Sequence, residues 1–324
     1  MLIEKKQWSY LYLSIIVILV AVSCLVFFEN GMDNDVAVAN AFDRPSIGAV
    51  LIESSTKAVL WSDGANNKTY PASTTKILTA LVVLERLPLD LKVKVPKEAI
   101  GVEGSSLYLR EGEELTVEDL LFGMMLRSGN DASVALAMAV AGTVDNFALL
   151  MNKKAVECGA NNSNFVNPHG LHHSNHFTTA LDLAYITAEA MKHPYFRHIV
   201  SMQKARIGEG ESARIIANKN KMLWRFDGAN GVKTGYTKNS GRCLVSSAKR
   251  NGMQLISVVL NHPNMWQDSE EILNFGFDNY EMVDVEALHL YGEYGEKALK
   301  NINLLHNSQL IRRYPAPKIA LYAP

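Results

Sequence analysis

The sequence predicts an α/β domain in which both ends of the chain contribute to one antiparallel sheet and a block of helices is inserted between them. Three observations predict it. Short apolar runs at residues 47–53 and 57–61 flank Ser54-Ser55-Thr56 and read as a hairpin. A second pair, residues 243–248 and 253–260, flanks Asn251-Gly252, a dipeptide suited to a two-residue hairpin turn. Between the two hairpins, apolar residues recur at helical spacing rather than in alternation.

The inserted elements follow in order. After Pro71, residues 73–86 place Ile77, Leu78, Leu81 and Leu84 on one helical face, and Pro88 stops the helix. Thr116-Val117-Glu118-Asp119 reads as a helix start with acids in the first turn. Val117, Leu120, Leu121 and Met124 then form its apolar face, and the helix runs out near Ser128-Gly129-Asn130. Residues 131–141, rich in Ala, form the next helix, with Gly142 as its stop. Thr179 starts a further helix that ends before Pro194.

At 324 residues the chain fits one large domain or two modest ones, and 48% apolar against 20% charged residues supports a sizeable core. With 32 basic against 33 acidic groups there is no electrostatic case for binding nucleic acid. Three cysteines cannot form a disulfide framework, and Cys158 and Cys243 read as buried thiols.

Residues 1–41 read as a signal peptide or an N-terminal membrane anchor. Lys5 and Lys6 precede an apolar run from 11 to 28, and Ala39-Asn40-Ala41 offers a small-residue cleavage site. The run is also near the roughly 20 residues that span a bilayer, so the anchor reading stands beside the cleaved one. Because Leu25 to Phe28 continue the run past Cys24, a lipidated cysteine is not expected. Either way the remainder functions outside the cytoplasm, secreted or held at the outer face of the cytoplasmic membrane.

Three short motifs carry chemistry. In Ser73-Thr74-Thr75-Lys76 the amine lies one helical turn from the hydroxyl, where it can activate a weak nucleophile if burial lowers its pKa. Ser128-Gly129-Asn130 supplies a second hydroxyl for proton relay and a carboxamide able to hold an amide. On an edge strand, Lys233-Thr234-Gly235 offers a cation and a hydroxyl to a carboxylate, and its glycine lets a substrate backbone approach. Each alone has a plainer reading: a capped helix, a helix end, a polar strand with a turn residue.

Together, in this order and context, they form a known signature. The sequence resembles the serine D-Ala-D-Ala carboxypeptidases, the low-molecular-mass penicillin-binding proteins. The likeness runs over residues 45–280 and includes the stretches 70–76, 125–132, 165–171 and 231–237. Gly129 between Ser128 and Asn130 is the carboxypeptidase form, where β-lactamases usually carry Asp.

The resemblance implies the α/β fold shared with serine β-lactamases, an antiparallel sheet flanked by helices with an inserted helical subdomain. Residues 42–280 would be the DD-peptidase domain and 281–324 a short extension. Ser73 would attack the bond between the two D-Ala residues, Lys76 would accept its proton, and Ser128 would pass a proton to the leaving amine. Asn130 would hold the substrate amide, and Lys233 and Thr234 the terminal carboxylate. Gly235 would flank that site, and the N–H groups of Ser73 and Tyr236 would form the oxyanion hole. The implied partners are stem peptides ending in D-Ala-D-Ala and β-lactam antibiotics as covalent inhibitors; no metal or organic cofactor is implied.

Two other functions compete. Glu157 and Asn161 have the spacing of the deacylating loop in class A β-lactamases, but the stretch falls where the carboxypeptidases carry an ordinary helix end. A non-catalytic penicillin-sensing or wall-binding module is the other, although it would not need a full proton-transfer set. The cluster His169, His172, His173 and His176 reads as a solvated loop rather than a zinc site, since Pro168, Gly170 and Asn175 break any helix. Tyr236 stands where some relatives carry His, so no role of that His transfers.

Overall fold

The computed structural model describes residues 48–210 and 213–282, together with the backbone of 310–312. The N-terminal segment read as signal or anchor, and most of the C-terminal extension, lie outside the described residues.

The expected sheet is present. β1 (Gly48–Glu53) and β2 (Val59–Asp63) form the first hairpin. The chain returns after the helical block with β7 (Ala229–Thr237), β8 (Gly241–Arg250) and β9 (Met253–Leu260). All pairs are antiparallel, in the order β2-β1-β9-β8-β7, so β9 from one end of the domain zips against β1 from the other. Asn251 and Gly252, at φ 48° and 84°, make the two-residue turn between β8 and β9; both central residues of that turn need positive φ. β7 lies at one edge of the sheet, which leaves a row of its backbone groups unclaimed by the ladder.

The inserted block holds α1 (Lys76–Leu84), α2 (Val117–Leu126), α3 (Asn130–Ala141), α4 (Val144–Cys158), α5 (Ala180–Ala190) and α6 (Pro194–Ser201). Small hairpins, β3 (Lys92–Lys94) with β4 (Glu114–Thr116) and β5 (Lys204–Ile207) with β6 (Arg214–Ala217), lie within it, and α7 (Met222–Arg225) leads into β7. Thr116 caps α2 in a reciprocal capping box with Asp119, and Thr179 caps α5, as their sequence positions foretold. Gly142 closes α3 in the left-handed conformation. Val50, Ile52, Ile256 and Val258 share one core with this block. Side chains alternate along a strand, so Leu51 and Leu255 face the other way. There α8 (Met265–Asn279) covers them, before β10 (Tyr280–Met282) pairs with β11 (Leu310–Arg312).

Two boundaries differ from expectation, and both bear on function. Residues 73–86 are not one α-helix: a 3₁₀ turn, Ala72–Thr75, precedes α1. Ala72 sits at φ 48°, outside the helical region, so the chain enters a tight turn before the α-helix can start. The helix expected to run to residues 128–130 ends at Leu126, because Ser128 is left-handed at φ 66°, and Asn130 opens α3 instead. Helices α4, α6, α7 and α8 are further additions. α4 had legible signals in Thr143, whose hydroxyl caps it, and Gly159, left-handed at its end.

Gly276 on α8 tests the outer layer. A Cβ there would lie 2.6 Å from Leu255 Cδ1 and 2.7 Å from Leu51 Cδ2. Gly276→Ala gains about 1 kcal/mol of helix propensity but overpacks the interface by about 1–3 kcal/mol. The expected result is a lower urea midpoint; a raised midpoint would show that the leucines move aside.

Candidate active site

The site begins with the turn Ala72–Thr75. Ser73 is half-buried there, and Lys76, on the first turn of α1, is 0% exposed. Its Nζ donates to Ser73 Oγ (3.0 Å), Asn130 Oδ1 (2.7 Å) and the His169 carbonyl (2.8 Å). All three acceptors are neutral. Asn130 is employed at both ends of its carboxamide: Oδ1 takes the lysine, and Nδ2 donates to the Glu103 carbonyl at 2.5 Å. One lone pair and one N–H remain on the group.

The facing wall is β7. Lys233, 1% exposed, donates to Ser128 Oγ (3.1 Å) and to the Thr234 carbonyl (3.0 Å). Gly235 passes so close to the turn that a Cβ would lie 3.1 Å from Ser73 N and from Pro71 O. Tyr236 follows and is 68% exposed. The residues singled out from sequence therefore meet as two hydrogen-bonded sets, Ser73–Lys76–Asn130 and Ser128–Lys233–Thr234, joined where Gly235 abuts the Ala72–Thr75 turn.

Burial decides the charges. It is the largest cause lowering Lys76 well below the ordinary lysine value, reinforced by the positive charges of Lys233 and Lys219 and opposed by Asp131. Burial, then Lys219, lowers Lys233 to about 7. Two amines in one cleft are thus both lowered, and the charge of Lys233 adds to the cause at Lys76. A neutral Lys76 has two N–H groups for Asn130 and the His169 carbonyl and a lone pair left to face the Ser73 hydroxyl, whose proton it can accept.

Several contributors were not foreseen. Lys219 donates to Ser105 Oγ at 2.9 Å and adds positive charge beside both lysines. Asp131, 2% exposed, gathers Ser106 Oγ (2.5 Å), Leu107 N (2.8 Å) and Leu109 N (3.3 Å) onto one oxygen. That clamp steadies the loop whose Glu103 carbonyl holds Asn130. His169 contributes a main-chain carbonyl, which has no side-chain signature, although its neighbour Gly170 marks a close approach: a Cβ there would be 1.8 Å from Ala72 O.

The histidine cluster is not the uniformly solvated loop expected. His172 and His173 are largely accessible, but His176 is 1% exposed because its ring is sandwiched between Val166 N–H and Thr75 Oγ1. Among the described residues no three His, Cys, Asp or Glu side chains gather to hold a metal ion. Glu157, near the end of α4, forms an ion pair with Lys154 at 3.2 Å and is not among the groups that hold Ser73 or Lys76. Cys158 and Cys243 are buried free thiols, pushed by burial to about 11 and about 12.

Known proteins share this fold. The D-alanyl-D-alanine carboxypeptidase from Mycobacterium tuberculosis matches with a TM-score of 0.70 at 30% identity, covering 73% of this chain and 92% of that one. A point variant of the Streptomyces K15 DD-transpeptidase gives a TM-score of 0.68 at 32% identity, over 72% of this chain and all of that one. These likenesses place the fold in the DD-peptidase class. The family model described as D-alanyl-D-alanine carboxypeptidase matches residues 35–264, and the chain belongs to that family. It is 36% identical to the carboxypeptidase DacF of Bacillus subtilis over 242 residues, 72% of this chain. The chain spans just under two thirds of that relative's length, 62%.

The Asp131 clamp is testable without any substrate. Asp131→Ala leaves buried donors without an acceptor, each costing about 1–3 kcal/mol. The variant should unfold at lower urea and be cut by protease within residues 103–113 first. Unchanged stability and cleavage would show that the loop holds itself.

Proposed function

We propose that the protein is a serine D-alanyl-D-alanine carboxypeptidase that removes the terminal D-Ala from peptidoglycan stem peptides. The observation that carries this reading is the Lys76 amine, buried among neutral oxygens and within hydrogen-bond distance of Ser73 Oγ at 3.0 Å.

Ser73 Oγ attacks the carbonyl carbon of the penultimate D-Ala, and its proton passes to the neutral Lys76 amine. The carbonyl oxygen becomes an oxyanion, taken by the Ser73 and Tyr236 N–H groups. Ser128, polarised by Lys233, delivers its proton to the departing nitrogen and regains one from the Lys76 ammonium, and the C–N bond breaks to leave an ester on Ser73 and free D-Ala. Asn130 holds the substrate amide with its remaining donor and acceptor. Lys233 and Thr234 receive the terminal carboxylate at the edge of the sheet, beside Gly235. Water then hydrolyses the ester and restores the hydroxyl.

In this reading residues 42–280 are the catalytic domain, 281–324 an extension, and residues 1–41 export the chain or hold it at the outer face of the cytoplasmic membrane. β-Lactams acylate Ser73 by the same first step. The position of Glu157, tied to Lys154 on α4, supports a carboxypeptidase over a β-lactamase. The intact set of Ser73, Lys76, Ser128 and Lys233 supports an enzyme over a passive sensor.

The direct test measures D-Ala release from a peptide ending in Lys-D-Ala-D-Ala, with penicillin turnover followed in parallel. Release that vanishes in Ser73→Ala, with negligible penicillin turnover, is expected. Penicillin turnover would instead make it a β-lactamase, and stable labelling with no turnover of either would make it a sensor.

The pH profile should carry the signature of both lysines. Lys76 must be neutral to act, so kcat/KM rises with pH through its lowered pKa. Lys233 must be charged to hold a carboxylate, so kcat/KM falls as pH climbs past about 7. Amidating the substrate's terminus should remove the falling limb and keep the rising one. A falling limb that survives amidation would show that Lys233 does not read the carboxylate.

A further inference from the structure

One loop, residues 164–178, touches the nucleophile segment at four points. Gly170 makes room for the Ala72 carbonyl, His169 O receives Lys76 Nζ, and Pro168 O receives Thr79 Oγ1 at 2.7 Å. The fourth is a side chain. His176 Nε2 lies 2.9 Å from Oγ1 of Thr75, the last residue of the serine turn and the one before the motif's lysine, and Thr75 is 0% exposed.

The tautomer follows from the other side of the ring. Val166 N donates to His176 Nδ1 at 3.1 Å, so Nδ1 is an acceptor and the single ring proton sits on Nε2, aimed at Thr75. Burial, followed by His173, His172 and Lys76, lowers the ring's pKa to about 3 and keeps it neutral. Phe165 packs edge-on at 5.5 Å, and paired main-chain bonds between Asn164 and Phe177 fix the base of the loop. The imidazole therefore cannot swing.

We propose that His176 is a positioning residue: its imidazole, held by Val166 and donating to Thr75, sets the rotation of the Ala72–Thr75 turn and thereby the line between Ser73 Oγ and Lys76 Nζ. This rests on Ser73 being the nucleophile. A turn entered through a left-handed alanine has competing conformations of lower local energy, and a hydrogen bond at its last residue selects the one that faces Lys76.

The test uses the full chain with His176→Phe, His176→Gln, Thr75→Val and the Phe/Val double variant. Acylation by fluorescent penicillin and kcat and KM for D-Ala release are read on protein shown to be folded by near-ultraviolet circular dichroism. His176→Phe and Thr75→Val should each lower acylation and kcat roughly 10- to 100-fold, the scale of a small misplacement of reacting groups. KM should stay within about twofold, because substrate binding is untouched. Gln can offer an N–H to Thr75 and an oxygen to Val166, so it should recover most of the loss. The double variant should be no worse than the poorer single one. Wild-type kcat in either single variant, or losses that multiply in the double, would overturn the proposal. If the Phe variant does not fold, the near-isosteric Thr75→Val removes the same hydrogen bond and decides the matter alone. A wild-type protein that neither acylates nor releases D-Ala would overturn the assignment of Ser73, and this proposal with it.

Discussion

The amine of Lys76 is held out of solvent by the Ser73 hydroxyl, the Asn130 carboxamide and the His169 carbonyl, and each comes from a different part of the chain. Withdrawing a charged amine from water without a carboxylate partner costs roughly several kcal/mol, so the site favours the uncharged form. That one constraint organises its surroundings. The second lysine, Lys233, is also bonded to neutral oxygens, and its positive charge opposes that of Lys76. A nearby carboxylate bonded to Lys76 would stabilise the charged amine and abolish the proposed base. Among the described residues the acid acting on Lys76 is Asp131, and it spends an oxygen on the loop at Ser106, Leu107 and Leu109 instead.

Backbone geometry meets the same demand. Ala72 and Ser128 both adopt left-handed φ, at 48° and 66°, although neither is glycine. Each costs about 1–2 kcal/mol, so such residues persist only where packing leaves no alternative. Here the packing is identifiable. Ala72 is pinned between Gly235 on β7, where a Cβ would lie 3.1 Å from the Ala72 Cβ, and Gly170 on the 164–178 loop, where a Cβ would lie 1.8 Å from the Ala72 carbonyl oxygen. Ser128 lies between two helices that begin and end independently of it, and its hydroxyl is taken by Lys233. The strain lies beside the two hydroxyls proposed to move protons, where it aims them at the amines rather than into solvent.

What the sequence made legible was local. Asn251-Gly252 announced its turn because few residue pairs accept two positive φ angles, and Thr116 and Thr179 announced helix starts because a hydroxyl there satisfies an orphan N–H. Ser73, Lys76, Ser128, Asn130 and Lys233 stand out because their spacing is itself the signature. The parts that stayed hidden are those whose effect depends on the fold. A carbonyl such as His169 O is the same group at every position, and only the tertiary path brings it to Lys76. Lys219 looks like any surface lysine until the link between β6 and α7 sets it beside the cleft. His176 was grouped with its accessible neighbours because helix-breaking residues predict a loop, and loops are usually wet. They do not show that one of four histidines turns inward to fill two hydrogen bonds.

In the proposed reaction, a stem peptide and a β-lactam differ at one point. Both place a carboxylate near Lys233 and both acylate Ser73. With the peptide, the amine released is a separate molecule; it diffuses away, and water becomes the available nucleophile. With a β-lactam, the nitrogen remains tethered to the acyl group, at the high effective concentration that an intramolecular neighbour enjoys. Hydrolysis then requires a group that positions water on the crowded ester. Spacing offered Glu157 for that task, but α4 carries it to Lys154, and Lys154 in turn reaches Glu85 at the end of α1. With that carboxylate committed elsewhere, the same hydroxyl and amine that turn over a peptide would retain a β-lactam as a lasting ester.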